Sequence, residues 1–217
     1  MLQISSEGDR VRFVKTRSGE SKQVIIIAGP TGVGKSALAV NLAKQIDGEI
    51  VSSDSVQVYR GMDIGTAKVS QEIRKIIPHH LIDIRDIQDT YHVADFYKDA
   101  KSAILDIQKR GKVPIVVGGT GFYLHTLLYG SPKGPPADLK TRAMLDEDCA
   151  RYGISHLFER LQTLDPKYAA KVSKNDAHKI LRALEIIEIS KQTVSSFMVD
   201  EEKSDPDFDF QCWYIYF

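Results

Sequence analysis

The sequence predicts an α/β fold: a parallel sheet flanked by helices, with a small helical insert. Three observations carry that prediction. Short apolar runs rich in β-branched residues recur at 23–28 (QVIIIA), 49–53 (EIVSS) and 113–117 (VPIVV). Helical patterns separate them, and strand, helix, strand is the rhythm of a parallel sheet. A glycine-rich turn follows the first run directly.

The elements justify themselves in order. Residues 23–28 form an unbroken apolar run, as expected of a strand covered on both faces. Residues 35–46 read as a helix, with Leu38, Leu42 and Ile46 at helical spacing. Residues 49–53 give the second strand. Val93, Phe96, Ala100, Ile104 and Ile107 recur at intervals of three and four, one face of a long helix that Gly111 closes. Residues 113–117 give the third strand. After Gly130 the pattern changes: 131–136 (SPKGPP) is a turn-rich break, and 138–191 is helical with no strand candidate. Residues 201–209 are acidic loop, and 211–217 (QCWYIYF) begin an apolar strand that runs to the last residue. The expected organisation is a flexible leader (1–22), a catalytic core (23–130), a helical insert with its return helix (131–191), and a loop with a returning, truncated core strand (192–217).

Residues 29–36, Gly29-Pro30-Thr31-Gly32-Val33-Gly34-Lys35-Ser36, match G-x-x-x-x-G-K-[ST], and both flanks fit: a strand before, a helix after. The fold expected is therefore P-loop NTPase-like. Such a loop turns backbone N–H groups inward around phosphate oxygens, and the helix N-terminus adds positive potential. Lys35 adds a full charge, and the Ser36 hydroxyl is placed to ligate Mg²⁺. A polyphosphate is implied, not its identity.

Strand carboxyl ends share one rim of a parallel sheet, where ligands bind. The second strand ends at Asp54-Ser55-Val56-Gln57, one βαβ step from Ser36. Asp54 is thus a candidate Mg²⁺ ligand, and the Gln57 amide can pair with an adenine edge. The third strand ends at Gly118-Gly119-Thr120, where glycines let backbone approach a ligand and Thr120 opens a helix. No acid ends that strand, where a nucleotide hydrolase or kinase often places one.

Bulk properties narrow the classes. Lys+Arg and Asp+Glu both number 29, so net charge gives no support to RNA binding. No apolar run approaches the ~20 residues that span a bilayer, so no membrane association is expected. Cys149 and Cys212 fit no metal or redox spacing, which points to the cytoplasm or, alternatively, a plastid or mitochondrial matrix. Arg10, Arg12, Lys15, Arg17 and Lys22 could mark a targeting peptide, but Glu7, Asp9 and Glu20 argue against one. His79 and His80 are adjacent and point apart, no obvious metal pair.

Five segments together resemble the tRNA dimethylallyltransferase (isopentenyltransferase) family: GPTGVGKS at 29–36, SSDSVQVYRGMDIGTAK at 52–68, PHHLIDI at 78–84, VGGTGFYL at 117–124 and NDAHKILRALEI at 175–186. The resemblance implies transfer of a dimethylallyl group from its diphosphate to the exocyclic amine of the adenosine 3′ to the anticodon, by a monomer using Mg²⁺. It implies that 29–36 cradle the diphosphate, that Lys35, Thr120 and Arg142 meet the reacting centre or leaving group, and that Asp54 is the general base. Asp54, Ser55, Val56 and Gln57 lie in the stretch that touches the target adenine, and His178, Lys179, Ile180, Leu181 and Arg182 in one that contacts tRNA. The family more often has Gln-Arg where this chain has His178-Lys179, which would forgo a bidentate contact. The alternatives are an adenylate isopentenyltransferase of cytokinin synthesis, a P-loop small-molecule kinase with Asp54 as hydroxyl base, and a fragment that only binds a nucleotide or diphosphate.

Overall fold

The computed structural model describes residues 23–131, 134–197 and 207–215. The leader read at 1–22 lies outside these residues, as do 216–217 of the last strand and most of the acidic loop. The described chain forms two compact units, one of residues 23–130 with 207–215 and one of residues within 131–197.

The first unit is a five-stranded, all-parallel sheet in the order β3-β2-β4-β1-β5. Its strands are β1 (Gln23–Ala28), β2 (Gly48–Ser52), β3 (His79–His80), β4 (Val113–Gly118) and β5 (Asp209–Tyr214). Its helices are α1 (Lys35–Ile46), α2 (Gln71–Ile76), α3 (Val93–Lys109) and α4 (Gly121–Tyr129). Alternation along the strands sends neighbours to opposite faces. Ile25, Ile27, Ile50, Ile115 and Val117 pack with Ala39, Leu42 and Ala43 of α1. Val24, Ile26, Val51 and Val116 pack with Phe96, Ala100, Ile104 and Ile107 of α3 and with Leu124 and Leu127 of α4. That double cover is why β1 reads as an unbroken apolar run.

Three details depart from the expectation. Leu38 is 40% exposed, and α1 buries Ala39, Leu42 and Ala43 instead. Close approach of α1 to the sheet favours the small residues. The two-residue β3 was not anticipated, being too short to show a period. In β3 the adjacent histidines do diverge: His79 Nδ1 bonds the Ile77 carbonyl, whereas His80 Nε2 bonds Glu49. The last strand begins at Asp209, two residues ahead of its apolar run, because pairing with β1 starts at Gln23.

The second unit is helical: α5 (Leu139–Tyr152), α6 (Ile154–Leu164), α7 (Pro166–Ala169), α8 (Ala177–Ser190) and a 3-10 turn at Val194–Ser196. Leu145, Leu157, Leu161, Ile180 and Leu184 form its core. Buried Asp165 ties it together, accepting from the Tyr168 N–H at 3.0 Å and the Ser195 N–H at 2.8 Å.

Candidate active site

A cleft of about 610 Å³ opens at the carboxyl ends of β1, β2 and β4. Three chain segments build it, each leaving a strand end: the loop after β1, residues 52–57 after β2, and residues 117–120 after β4.

The loop after β1 reaches α1 through Gly34, whose φ of +87° is the left-handed region that side chains disfavour. Gly34 brings no side chain to the helix terminus, so no side-chain cap consumes the first N–H groups of α1. Those donors, together with the helix dipole, suit an anion. Lys35 is half-buried, not fully solvent-facing, and its Nζ donates to the Pro30 carbonyl at 2.6 Å. Burial lowers the Lys35 pKa, and the nearby Asp54 charge opposes that shift. Pro30, Thr31, Gly32, Gly34, Lys35 and Ser36 line the cleft. Val33 is buried, so its side chain serves the core and only its backbone remains for a ligand.

Asp54 follows β2. Its Oδ1 accepts from the Val56 N–H at 2.8 Å and the Gln57 N–H at 3.2 Å, while Oδ2 has no hydrogen-bond partner among the described residues. One oxygen thus orders the turn and the other is unspent. Thr120 stands at the N-terminus of α4, but its hydroxyl does not cap the helix. Its Oγ1 accepts the Ser55 N–H at 3.3 Å, so it joins two of the three loops and keeps its own proton to donate. The glycines before it divide their work. A Cβ on Gly118 would lie 2.0 Å from the Ser53 carbonyl oxygen, so Gly118 admits neighbouring backbone as well as lining the cleft. A Cβ on Gly119 would instead face Gly29 O at 3.3 Å and Lys35 Nζ at 3.9 Å.

Gln57 lines the cleft, and its side chain is held by the loop that follows. It is 9% exposed, and its Nε2 donates to the Thr66 and Ala67 carbonyls at 3.0 and 3.4 Å. Its Oε1 accepts from the Ser52 hydroxyl at 3.4 Å. The amide nitrogen thus helps to fix that loop against the cleft. Ser55 and Val56 remain exposed on the cleft wall.

Arg142 and residues 178–182 belong to the second unit. Arg142 lies on α5, its Nη1 3.8 Å from the buried Glu185 and its Nε 3.6 Å from Asp146. Arg182 donates to Glu185 at 2.8 Å and to the Pro135 carbonyl at 2.6 Å. His178 and Lys179 are exposed in the first turn of α8. Ile180 and Leu181 are 0% and 6% exposed and pack in the helical core, so their side chains are closed to an RNA ligand. A contiguous stretch on a helix cannot present every member outward.

Thr66, Ala67, Val69, His79 and Ile82 also line the cleft, and sequence reasoning missed them. The first three arrive through the fold of residues 58–69, held by Lys68, and His79 and Ile82 come from β3 and the residues after it. The Lys68 ammonium donates to Tyr59 O at 2.9 Å, Asp63 at 2.7 Å and Asp83 at 2.7 Å, and its side chain is 3% exposed. Little in the sequence signals this, since the partners Asp63 and Asp83 stand five and fifteen residues from Lys68.

Mg²⁺ fits the donor set. The exposed Ser36 hydroxyl and the Asp54 carboxylate are hard oxygens lining one cleft. Among the described residues no group of three His, Cys, Asp or Glu could hold a metal. Mg²⁺ commonly binds through one or two protein oxygens plus ligand phosphates and needs no such group.

A parallel sheet with a glycine-lysine-serine loop at its rim places the molecule among the P-loop α/β proteins. The family model described as IPP transferase matches residues 57–216. The chain is 50% identical over 205 residues to a tRNA dimethylallyltransferase of Protochlamydia amoebophila, covering 94% of this chain and 60% of that protein. It is 53% identical over 176 residues to the protein of that name from Chlamydia trachomatis serovar D, covering 81% and 56%. A solved eukaryotic dimethylallyltransferase acting on tRNA superposes with a TM-score of 0.70 at 34% identity, covering 90% of this chain and 48% of that one. A tRNA isopentenylpyrophosphate transferase from Bacillus halodurans gives 0.52 at 43% identity, covering 79% and 57%. The chain belongs to the IPP transferase family, and it spans about three-fifths or less of the length of these relatives.

Proposed function

We propose that this chain carries the catalytic core of an enzyme that moves a dimethylallyl group from dimethylallyl diphosphate to the exocyclic amine of the adenosine 3′ to the anticodon in tRNA. Family membership supports the reaction class. The observation that carries the reading is that one cleft in the first unit joins an anion-binding helix terminus, the Asp54 carboxylate and the Thr120 hydroxyl. We further propose that the protein acts as a monomer in the cytoplasm. No helix among the described residues is long and apolar enough to cross a membrane.

The barrier is separation of a diphosphate anion from an allylic carbon that gains cationic character. Donors already fixed in place lower it without reorganising. Lys35, the N–H groups at the start of α1 and the Thr120 hydroxyl are such donors. The adenine amine is a weak base that becomes acidic as its bond to carbon forms. The carbon–oxygen bond to diphosphate breaks, the nitrogen–carbon bond forms, and Asp54 takes the proton. Asp54 Oδ2 has no other hydrogen bond to give up for that role. Ser36 would hold Mg²⁺, which when bound would supply further positive charge at the diphosphate. The adenine must leave its stack to enter the cleft.

The test is incubation with labelled dimethylallyl diphosphate and either tRNA or free adenine nucleotide. Label in tRNA is expected. Label in the nucleotide alone would indicate an adenylate isopentenyltransferase, and phosphate transfer to a small acceptor a kinase.

A further inference from the structure

Ile64 is 99% exposed. Single apolar residues at a surface are common, but the loop beneath this one is unusual. Residues 60–68 are fixed from three sides. The buried Lys68 ammonium joins the loop to Tyr59 and Asp83 and holds Asp63. The Thr66 hydroxyl donates to the Met62 carbonyl at 2.8 Å, across the turn that bears Ile64. Gln57 Nε2 holds the Thr66 and Ala67 carbonyls. A braced turn therefore keeps an aliphatic side chain in water, two residues from the cleft wall formed by Thr66 and Ala67.

The charges of the loop that bears Ile64 are paired off and leave no net charge to repel a polyanion. The Lys68 ammonium offsets the adjacent Asp63 carboxylate. Arg60 pairs with Asp86 at 2.9 Å, both more than half exposed, and such surface pairs are worth about 0–1 kcal/mol. Arg60 can exchange that partner for a phosphate at little cost. One side chain is far short of the ~800 Å² per partner that a protein interface needs. It is the right size to enter the gap between two base planes, as apolar wedges do in nucleic acids.

We infer that Ile64 is a wedge that packs against the RNA bases beside the acceptor adenosine and keeps that nucleotide out of its stack. This rests on the tRNA reading above. A synthetic anticodon stem-loop with 2-aminopurine at the acceptor position reports unstacking as a rise in fluorescence. The wild-type protein gives that rise. Ile64→Ser loses most of it and weakens RNA binding about tenfold, by the same factor at low and high salt because no charge is removed. Its affinity for dimethylallyl diphosphate is unchanged, and Ile64→Leu restores the signal. Wild-type fluorescence and RNA affinity in Ile64→Ser would overturn the inference, as would a loss confined to low salt or shared with donor binding. A wild-type protein that neither binds nor prenylates the stem-loop removes the tRNA reading, and the wedge with it.

Discussion

Replacing Lys68 with Met removes an ammonium that is 3% exposed and donates to three oxygens at 2.7–2.9 Å. Breaking a buried ion pair usually costs about 3–5 kcal/mol, because the remaining charge is stranded. Here the stranding is partial. Asp83 keeps Arg74 at 2.6 Å, and Asp63 is 65% exposed and can turn to water. The Tyr59 carbonyl loses this donor. Two charged hydrogen bonds lost with partial recovery put the cost near 2–3 kcal/mol. Asp83→Asn should cost no less, since it removes the counter-charge of both Lys68 and Arg74. Lys68→Arg should not rescue, because a planar fork does not fit a site built for a point charge. Urea unfolding followed by circular dichroism measures the shift in midpoint, and hydrogen exchange locates it at residues 57–68. An unchanged midpoint in Lys68→Met, with unchanged protection at Gln57, would refute the claim that Lys68 holds this cleft wall.

Two further outcomes follow from the geometry. Lys35→Ala removes a full positive charge at the anion-binding terminus, so dimethylallyl diphosphate binding by calorimetry and turnover should both fall while the melting temperature holds; unchanged steady-state kinetics would reject the phosphate role. Glu49 is 2% exposed, and hydrogen bonding to Arg110, opposed by burial and aided by His80, holds its carboxyl at about 2 instead of 4.5. The stability this gives is present above the unfolded value and is lost as pH falls from about 4.5 toward 2. Each unit is worth about 1.4 kcal/mol, so with a partly exposed Arg110 the effect is about 2–3 kcal/mol. Glu49→Gln should be less stable at pH 7 and flatter across that acid range; a parallel pH profile would contradict this.

The sheet was legible because both of its faces are covered. β1 and β4 carry apolar runs, and the 93–107 periodicity of α3 names its buried residues Phe96, Ala100, Ile104 and Ile107 together with the partly buried Val93. The loop at 29–36 was legible because its chemistry is local: glycines, a lysine and a serine between strand and helix. What stayed hidden depends on partners distant in sequence. Nothing near Gln57 announces that its amide is engaged by Thr66 and Ala67. Thr120 occupies a capping position, yet its hydroxyl serves Ser55, 65 residues earlier. Gly118 lines the cleft as its position implies, and it also admits the backbone of Ser53, which its sequence does not announce. Leu38 and Ala39 are neighbours on α1, and only the close approach of helix to sheet decides which is buried.

In the proposed mechanism Asp54 takes the proton while the α1 terminus holds the diphosphate. Asp54→Asn isolates that step. An asparagine Oδ1 can still accept the Val56 and Gln57 N–H groups, so the turn should persist while the carboxylate Oδ2 is lost. Single-turnover prenyl transfer to tRNA, measured over a range of Mg²⁺ concentrations, reads the chemical step directly. The expected result is a rate lower by ~10²–10⁴, with donor affinity kept and no recovery at high Mg²⁺. Recovery with added Mg²⁺ would make Asp54 a metal ligand first, and an unchanged rate would remove it from the chemistry altogether.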